Sequence, residues 1–281
     1  MTMSSTGGTG KFRLAVDIGG TFTDAVVERD GEFIGTKVLT THDAPATGFM
    51  AAAAKAMELA DAKPEDISLI IHGTTLATNA LIERKGAKTA LIVTEGHRDA
   101  LEMAYENRFD QYDINAERAA PLVPRDLRLP VRQRTDFQGR VLIDLDETTV
   151  RDLVPVLKEA KVTSIAVGLL HAYANPAHER RAAEIVRDAH PKAYVSCSAD
   201  ISPQFREFER FTTAAMNVFV GPLVRDYVRR IAEAMQANGF AADLLIMASN
   251  GGMATADMVA EKPVLTLLSG PAAGVMGGAW H

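Results

Sequence analysis

The 281-residue sequence predicts an α/β fold from three observations. Short apolar strands joined by tight turns open the chain, helical and strand patterns alternate further along, and the composition, 47% apolar and 23% charged, suits a globular protein with a sizeable core.

Residues 1–10 form a polar leader rich in Ser, Thr and Gly, expected to be disordered. Phe12 to Ile18 and Phe22 to Glu28 read as strands with only Gly19, Gly20 and Thr21 between them. Asp30-Gly31 is a hairpin signal, which makes Glu32 to Leu39 a third strand and gives an antiparallel meander at the head of a mixed sheet. Thr47 to Ala60 is helix-forming, and Ile67 to Ile71 is a short strand that runs into His72-Gly73-Thr74-Thr75. Leu76 to Arg84 follows as a helix with Gly86 as its C′ glycine, and Thr89 to Val93 as a strand. Residues 104–130 carry Arg108, Asp110, Tyr112, Arg118, Arg125 and Arg128 among three prolines and read as a long functional loop. Exposed charges in such loops are also often merely solvated.

Leu153 to Ala160, Ser164 to Leu170, His178 to Ala189 and Ala193 to Ser196 repeat a helix-strand rhythm, after which a domain boundary is expected, dividing 11–198 from 199–281. Pro203 to Asn238 is helical with an interruption at Gly221-Pro222, and Phe205, Phe208, Ala215, Val218 and Phe219 form one stripe. Leu244 to Ala248 reads as a strand leading into Asn250-Gly251-Gly252, and Val264 to Leu268 as another leading into Ser269-Gly270-Pro271.

A net charge of −6 without any Lys/Arg-rich run gives no footprint for nucleic acid, and no stretch has the length of a membrane span. The single cysteine, Cys197, cannot form an internal disulfide, and no secretory signal pattern opens the chain, so a cytoplasmic location is expected. Cys197 reads as a small buried residue, and no metal-ligand spacing of His or Cys occurs.

Asp17-Ile18-Gly19-Gly20-Thr21-Phe22-Thr23-Asp24 is the most informative segment, because glycines at a strand end let main-chain N–H groups converge on an anion. Here the turn joins two strands instead of opening a helix and has no lysine, so neither the dinucleotide fingerprint nor the Walker motif fits. What remains is a hairpin cradle for phosphate, with hydroxyl donors from Thr21 and Thr23 and Mg2+ held by Asp17 through water, or else a plain tight turn.

The octet resembles the first phosphate motif of the actin, Hsp70 and sugar-kinase superfamily, in the form found in hydantoinase/oxoprolinase proteins. Further blocks are similar to that family in the same order: His72 to Leu81 with Glu83-Arg84-Lys85-Gly86, Asn107-Arg108 with Tyr112-Asp113, Glu207-Phe208-Glu209-Arg210, Ser249-Asn250-Gly251-Gly252, and Leu268 to Val275. Phe208 stands where the family usually has Tyr.

The resemblance implies an actin/Hsp70/sugar-kinase-like, ribonuclease H-like ATPase fold, of which this chain holds the first half and the start of a second domain. It implies ATP with Mg2+ as cofactors, ATP-dependent opening of a cyclic amide, and a hetero-oligomer with a hydantoinase B-type partner subunit. Relatives also include acetone and acetophenone carboxylases, and a non-catalytic nucleotide-binding or assembly module is the alternative of another class. On this reading Asp17, Thr21 and His72 are catalytic candidates. Gly19, Gly20, Thr21, Thr23, Asp24, Thr74, Thr75 and Gly270 line the nucleotide, while Asn107, Arg108, Asn250 and Gly251 meet substrate. A structural histidine is as good a reading of His72, and an i,i+3 ion pair is the simple account of Glu207 and Arg210. The family's second phosphate motif has no counterpart here, so the 281 residues alone are expected to show little ATPase activity.

Overall fold

A computed structural model describes residues 12–41, 43–105, 110, 112–116 and 119–278. It separates into two compact units: Met1–Glu83 with Leu223–His281, and Arg84–Pro222. The first unit is discontinuous in sequence, unlike the linear division expected at residue 198.

The first unit opens with β1 (Phe12–Ile18), β2 (Phe22–Arg29) and β3 (Glu32–Leu39), followed by α1 (Pro45–Leu59), β4 (Ile67–Thr74) and α2 (Leu76–Ile82). In the second lie β5 (Thr89–Thr94), α3 (Ala100–Met103), β6 (Arg128–Val131), β7 (Arg134–Thr135), β8 (Val141–Ile143), α4 (Glu147–Glu159), β9 (Ser164–Gly168), α5 (Ala177–Ala189), β10 (Tyr194–Cys197) and α6 (Ser198–Ile201). The chain returns through α7 (Glu207–Ala237) to β11 (Leu244–Met247), β12 (Met253–Thr255), α8 (Ala256–Glu261) and α9 (Ser269–Gly278).

The first unit's six-stranded mixed sheet has the order β12-β11-β4-β1-β2-β3. β1 pairs antiparallel with β2 and parallel with β4, and β4 pairs parallel with β11. Strict alternation along β1 buries Phe12, Leu14, Val16 and Ile18 and leaves Arg13, Ala15 and Asp17 on the open face. The buried face packs on α1, whose Ala-rich stripe through Ala52, Ala53 and Ala56 allows close approach beside Phe49, and on Tyr227 of α7. The second unit has a parallel sheet in the order β10-β9-β5-β6, with core residues such as Leu91, Ile92, Leu157, Ile165 and Phe211. β5 and β9 are buried along their whole length, as strands covered on both faces must be.

Several local expectations are corrected. Gly86 is not the cap after α2; Arg84 takes the left-handed turn with φ 55°, and a Cβ on Gly86 would lie 2.2 Å from the Phe219 ring. The loop expected over 104–130 ends early, because Arg125–Leu127 forms a 3-10 turn and Arg128 starts β6. Arg128 is buried, with Nε donating to the Val123 carbonyl at 3.0 Å and Nη2 to Glu102 at 2.9 Å.

Helix α7 runs unbroken through Gly221 and Pro222. An interior proline costs about 3 kcal/mol or more, and buried Phe211, Val218, Val220, Val224, Tyr227 and Ile231 on both sides of it outweigh that cost. Phe205 precedes the helix and is exposed, whereas Phe211 takes the expected core role. Val264 to Leu268 is no strand, since Pro263–Thr266 forms a 3-10 turn. No helix among the described residues is long and apolar enough to cross a membrane.

Candidate functional site

Parallel strands β1, β4 and β11 bring their carboxyl ends to one edge of the first unit's sheet, because Ile18 is level with Thr74 and Ile246 with His72. The segments that follow them are Gly19–Thr21, Thr75 and Ala248–Gly252. Ser269 joins them at the start of α9 by donating from Oγ to the Thr74 carbonyl at 3.2 Å. Ligands of open α/β sheets collect at such carboxyl ends.

Gly20 and Thr21 form the hairpin tip between β1 and β2, closed by Gly19 N–H donating to the Phe22 carbonyl at 3.0 Å. Thr40 draws the tip's carbonyls backwards, with its N–H donating to Thr21 O at 3.0 Å and its Oγ1 to Gly19 O at 3.0 Å. The Gly20 and Thr21 N–H groups have no acceptor among the described residues, and Thr21 is exposed. Neither Gly19 nor Gly20 has positive φ, and a Cβ on Gly20 would meet nothing within 4 Å. The fold itself therefore does not require glycine at position 20.

Register places Asp17 between Gly73 of β4 and Asp24 of β2 on the open face, with Lys37 of β3 next in the row. Lys37 pairs with Asp24 at 3.1 Å, whereas Asp17 has no hydrogen bond or ion pair among the described residues. Desolvation and the nearby Asp24 hold the Asp17 carboxyl above its ordinary pKa. A Cβ at position 73 would stand 2.7 Å from Asp17 Oδ1, so glycine there leaves the carboxylate its place.

The same parity turns three candidates away from this face. Thr23 is fully buried at 3.1 Å from Thr40 Oγ1. Because Thr40 spends its hydrogen on Gly19 O, Thr23 is the donor between the two hydroxyls and has none left for phosphate. His72 lies inside β4, not at a strand end, and has no exposed surface. Its Nδ1 is 2.8 Å from the Val16 carbonyl, an acceptor, so Nδ1 carries the proton; its Nε2 is 2.7 Å from Tyr227 Oη and accepts from that hydroxyl. Thr74 is buried, and its oxygen accepts the Leu76 N–H at 3.2 Å, so it shapes the strand-to-helix corner without reaching outward. This arrangement supports a structural role for His72, and direct contact with substrate does not fit it.

Burial pushes the His72 pKa from 6.5 down to about 4. A basic group whose folded pKa is depressed stabilises above its unfolded pKa, and that contribution is lost as pH falls through the folded one. Unfolding free energy should therefore drop by about 3 kcal/mol between pH 6.5 and 4, from 1.36 kcal/mol per pKa unit. Denaturant titrations of wild type and His72→Gln across this window should differ in slope, and equal slopes would contradict the assignment.

Thr75 is part-exposed at the start of α2 and donates from Oγ1 to the Ile18 carbonyl at 3.4 Å. Asn250 Oδ1 accepts the Gly252 N–H at 2.9 Å, and the φ of 79° at Gly251 favours glycine. Gly270 has open space at its Cβ direction. Asn107 and Arg108 fall outside the described residues.

Sequence reasoning missed Tyr227 and Thr40, since only strand register and helix packing connect them to the hairpin. In the second unit, Glu207 pairs with Arg210 at 3.4 Å, and Arg210 is fully buried. Arg210 donates to Ser198 Oγ at 3.0 Å and to the Leu169 carbonyl at 2.8 Å. Next to it the buried Glu179 accepts from Leu169 N–H, Ser198 Oγ and Ala199 N–H at 2.7, 2.6 and 2.9 Å. Cys197 is buried, and desolvation pushes its thiol up to about 12.

Residues 13–190 match the model of the hydantoinase/oxoprolinase N-terminal region, and residues 210–280 that of hydantoinase/oxoprolinase. The chain is 34% identical to the caprolactamase subunit alpha of Pseudomonas jessenii, over 95% of this chain and 40% of the relative. It is 30% identical to the 5-oxoprolinase of Saccharomyces cerevisiae, over 95% and 24%. The nucleotide-free structure of an acetone carboxylase superposes with a TM-score of 0.87 at 30% identity, covering 96% of this chain and 40% of that one. The chain thus spans two fifths or less of the length of these relatives. Two family models in tandem, together with the mixed sheet and its opening meander, place this chain in the hydantoinase/oxoprolinase family.

Proposed function

We propose that the whole protein uses ATP to activate and hydrolyse a cyclic amide, and that the β1–β2 hairpin holds the terminal phosphates. The observation that carries this reading is the hairpin tip: two main-chain N–H groups without acceptors among the described residues, carbonyls tied back by Thr40, and beside them the Asp17 carboxylate, unpaired among those residues. An amide carbonyl is a poor electrophile because nitrogen donates into it. Transfer of a phosphoryl group to the carbonyl oxygen removes that donation and creates a leaving group, so the protein's contribution is positioning and charge neutralisation.

Gly20 and Thr21 N–H groups and the Thr21 hydroxyl orient the phosphate oxygens in this reading, with Thr75 and Gly270 at the neighbouring strand and helix ends. Asp24, already paired with Lys37, contributes field more than direct contact. Asp17 fits a divalent cation as a hard oxygen donor whose ordinary ionisation is opposed by desolvation and by Asp24 until positive charge arrives. Among the described residues no three His, Cys, Asp or Glu side chains converge as a metal cage, so water and phosphate would complete the shell around Mg2+. When bound, Mg2+ supplies charge neutralisation of the transferred phosphoryl.

Relatives named as subunits of caprolactamase and of acetone and acetophenone carboxylases support a hetero-oligomer, with a hydantoinase B-type partner in this reading. The carboxylase names also sustain the second reading, an ATP-dependent ketone carboxylase. ADP release by the full-length protein with its partner separates the two. Stimulation by 5-oxoproline, hydantoins or caprolactam is expected, and stimulation by acetone or acetophenone with bicarbonate alone would overturn the amide assignment.

A further inference from the structure

The second unit has a switch point of its own. From β5 the chain proceeds to β6 on one side, then crosses to β9 on the other side and on to β10, so neighbouring β5 and β9 send their connections in opposite directions. The crevice outside the carboxyl ends of two such strands is where parallel α/β sheets bind ligands.

Polar groups gather there with their hydrogen bonding incomplete. Thr94, the last residue of β5, ties the three strand ends together: its Oγ1 accepts the Leu170 N–H at 2.9 Å and contacts Gln133 Nε2, while Gln133 Oε1 meets His178 Nδ1 at 3.2 Å. Beyond β5, Gly96 turns with φ 86° to present His97; beyond β9, His171 adopts φ 56°, which is uncommon for a residue with a Cβ. Nδ1 of His171 is buried with no hydrogen-bond partner among the described residues.

Arg134, just past β6, points Nη1 at His97 Nε2 at 2.7 Å. Guanidinium can only donate, so Nε2 holds the lone pair, His97 is neutral, and its proton sits on Nδ1. Desolvation and the Arg134 charge lower the His97 pKa, in agreement. Glu207 is the carboxylate felt by His97, and it is already engaged by Arg210 at 3.4 Å. Arg134 itself is part-buried and has no carboxylate partner among the described residues. A partly desolvated cation of this kind gains from an anion.

The geometry points to a binding site for a small monocarboxylate, with Arg134 supplying the charge and His97 and His171 the hydrogen-bonding nitrogens. One guanidinium beside the neutral His97 matches one negative charge, which favours a carboxylate over a phosphate dianion. The site lies wholly within Arg84–Pro222 and stands independently of the nucleotide reading.

The test is calorimetric titration of the full-length protein with sodium acetate at constant ionic strength in chloride, with diethyl pyrocarbonate reactivity of each histidine read in parallel by mass spectrometry. Saturable binding that protects His97 and His171, and that weakens about tenfold or more in Arg134→Gln, is expected. If that variant fails to fold by circular dichroism, Arg134→Lys replaces it and should weaken binding less, because it keeps the charge and loses the planar fork. Absence of saturation, affinity unchanged by either substitution, or binding of phosphate without acetate would each overturn the assignment.

Discussion

Asp17→Asn is expected to lower lactam-dependent ADP release by the full-length protein about a hundredfold to a thousandfold, the range found when one preorganised electrostatic group is removed. Asp17 is unpaired among the described residues, sits on the open face, and is held at a raised pKa by desolvation and by Asp24. Those are costs to the folded chain, and relieving them by making the side chain neutral should leave thermal stability unchanged or slightly higher. The combined readout distinguishes function from folding. Activity within threefold of wild type would remove the metal and phosphate role from Asp17, and a collapse in Tm would show the residue to be structural. Gly73→Ala should mimic the loss in part, since the added methyl would meet Asp17 Oδ1 at 2.7 Å and displace it.

Glu179→Ala should have the largest effect on stability, about 3–5 kcal/mol, the range for breaking a buried charged network by removing one partner. The carboxylate satisfies Leu169 N–H, Ala199 N–H and the Ser198 hydroxyl, and Ser198 in turn accepts from buried Arg210. Burial lifts the Glu179 pKa to about 7 against the pull of those donors and of Arg210. Its truncation strands two main-chain donors and leaves Arg210 with less compensating charge. Glu179→Gln keeps one acceptor oxygen and should lose less. Urea unfolding followed by circular dichroism measures both, and a loss under 1 kcal/mol for Ala would mean that water or repacking replaces the carboxylate.

Much of the first unit was legible because its strands carry period-two burial and its turns carry their own signals. Asp30-Gly31 and the Gly19-Gly20-Thr21 spacing define the meander outright. The hairpin as a cradle candidate, the position of Asp17 and the helix over α1 follow from local pattern. The direction of each side chain does not. Whether Thr23, His72 and Thr74 face the cradle or the core depends on which residues pair across β1, β2 and β4, and a one-residue change of register reverses every one of them. Similarly, Pro222 looked like a break because local chemistry opposes helix there, while burial on both sides of it, invisible in a window of sequence, decided the outcome. The second unit's switch point was hidden for a related reason: β6 follows a long aperiodic stretch and is only four residues long.

The single thiol of this sequence provides a native clock for opening of the second unit. Cys197 ends β10, buried and held as the unreactive thiol, so iodoacetamide at neutral pH can reach a thiolate only after the strand separates from its neighbours. Alkylation rate thereby counts excursions of the parallel sheet without an engineered probe, and the increase caused by loosening Glu179 can be read directly from the mass of one peptide.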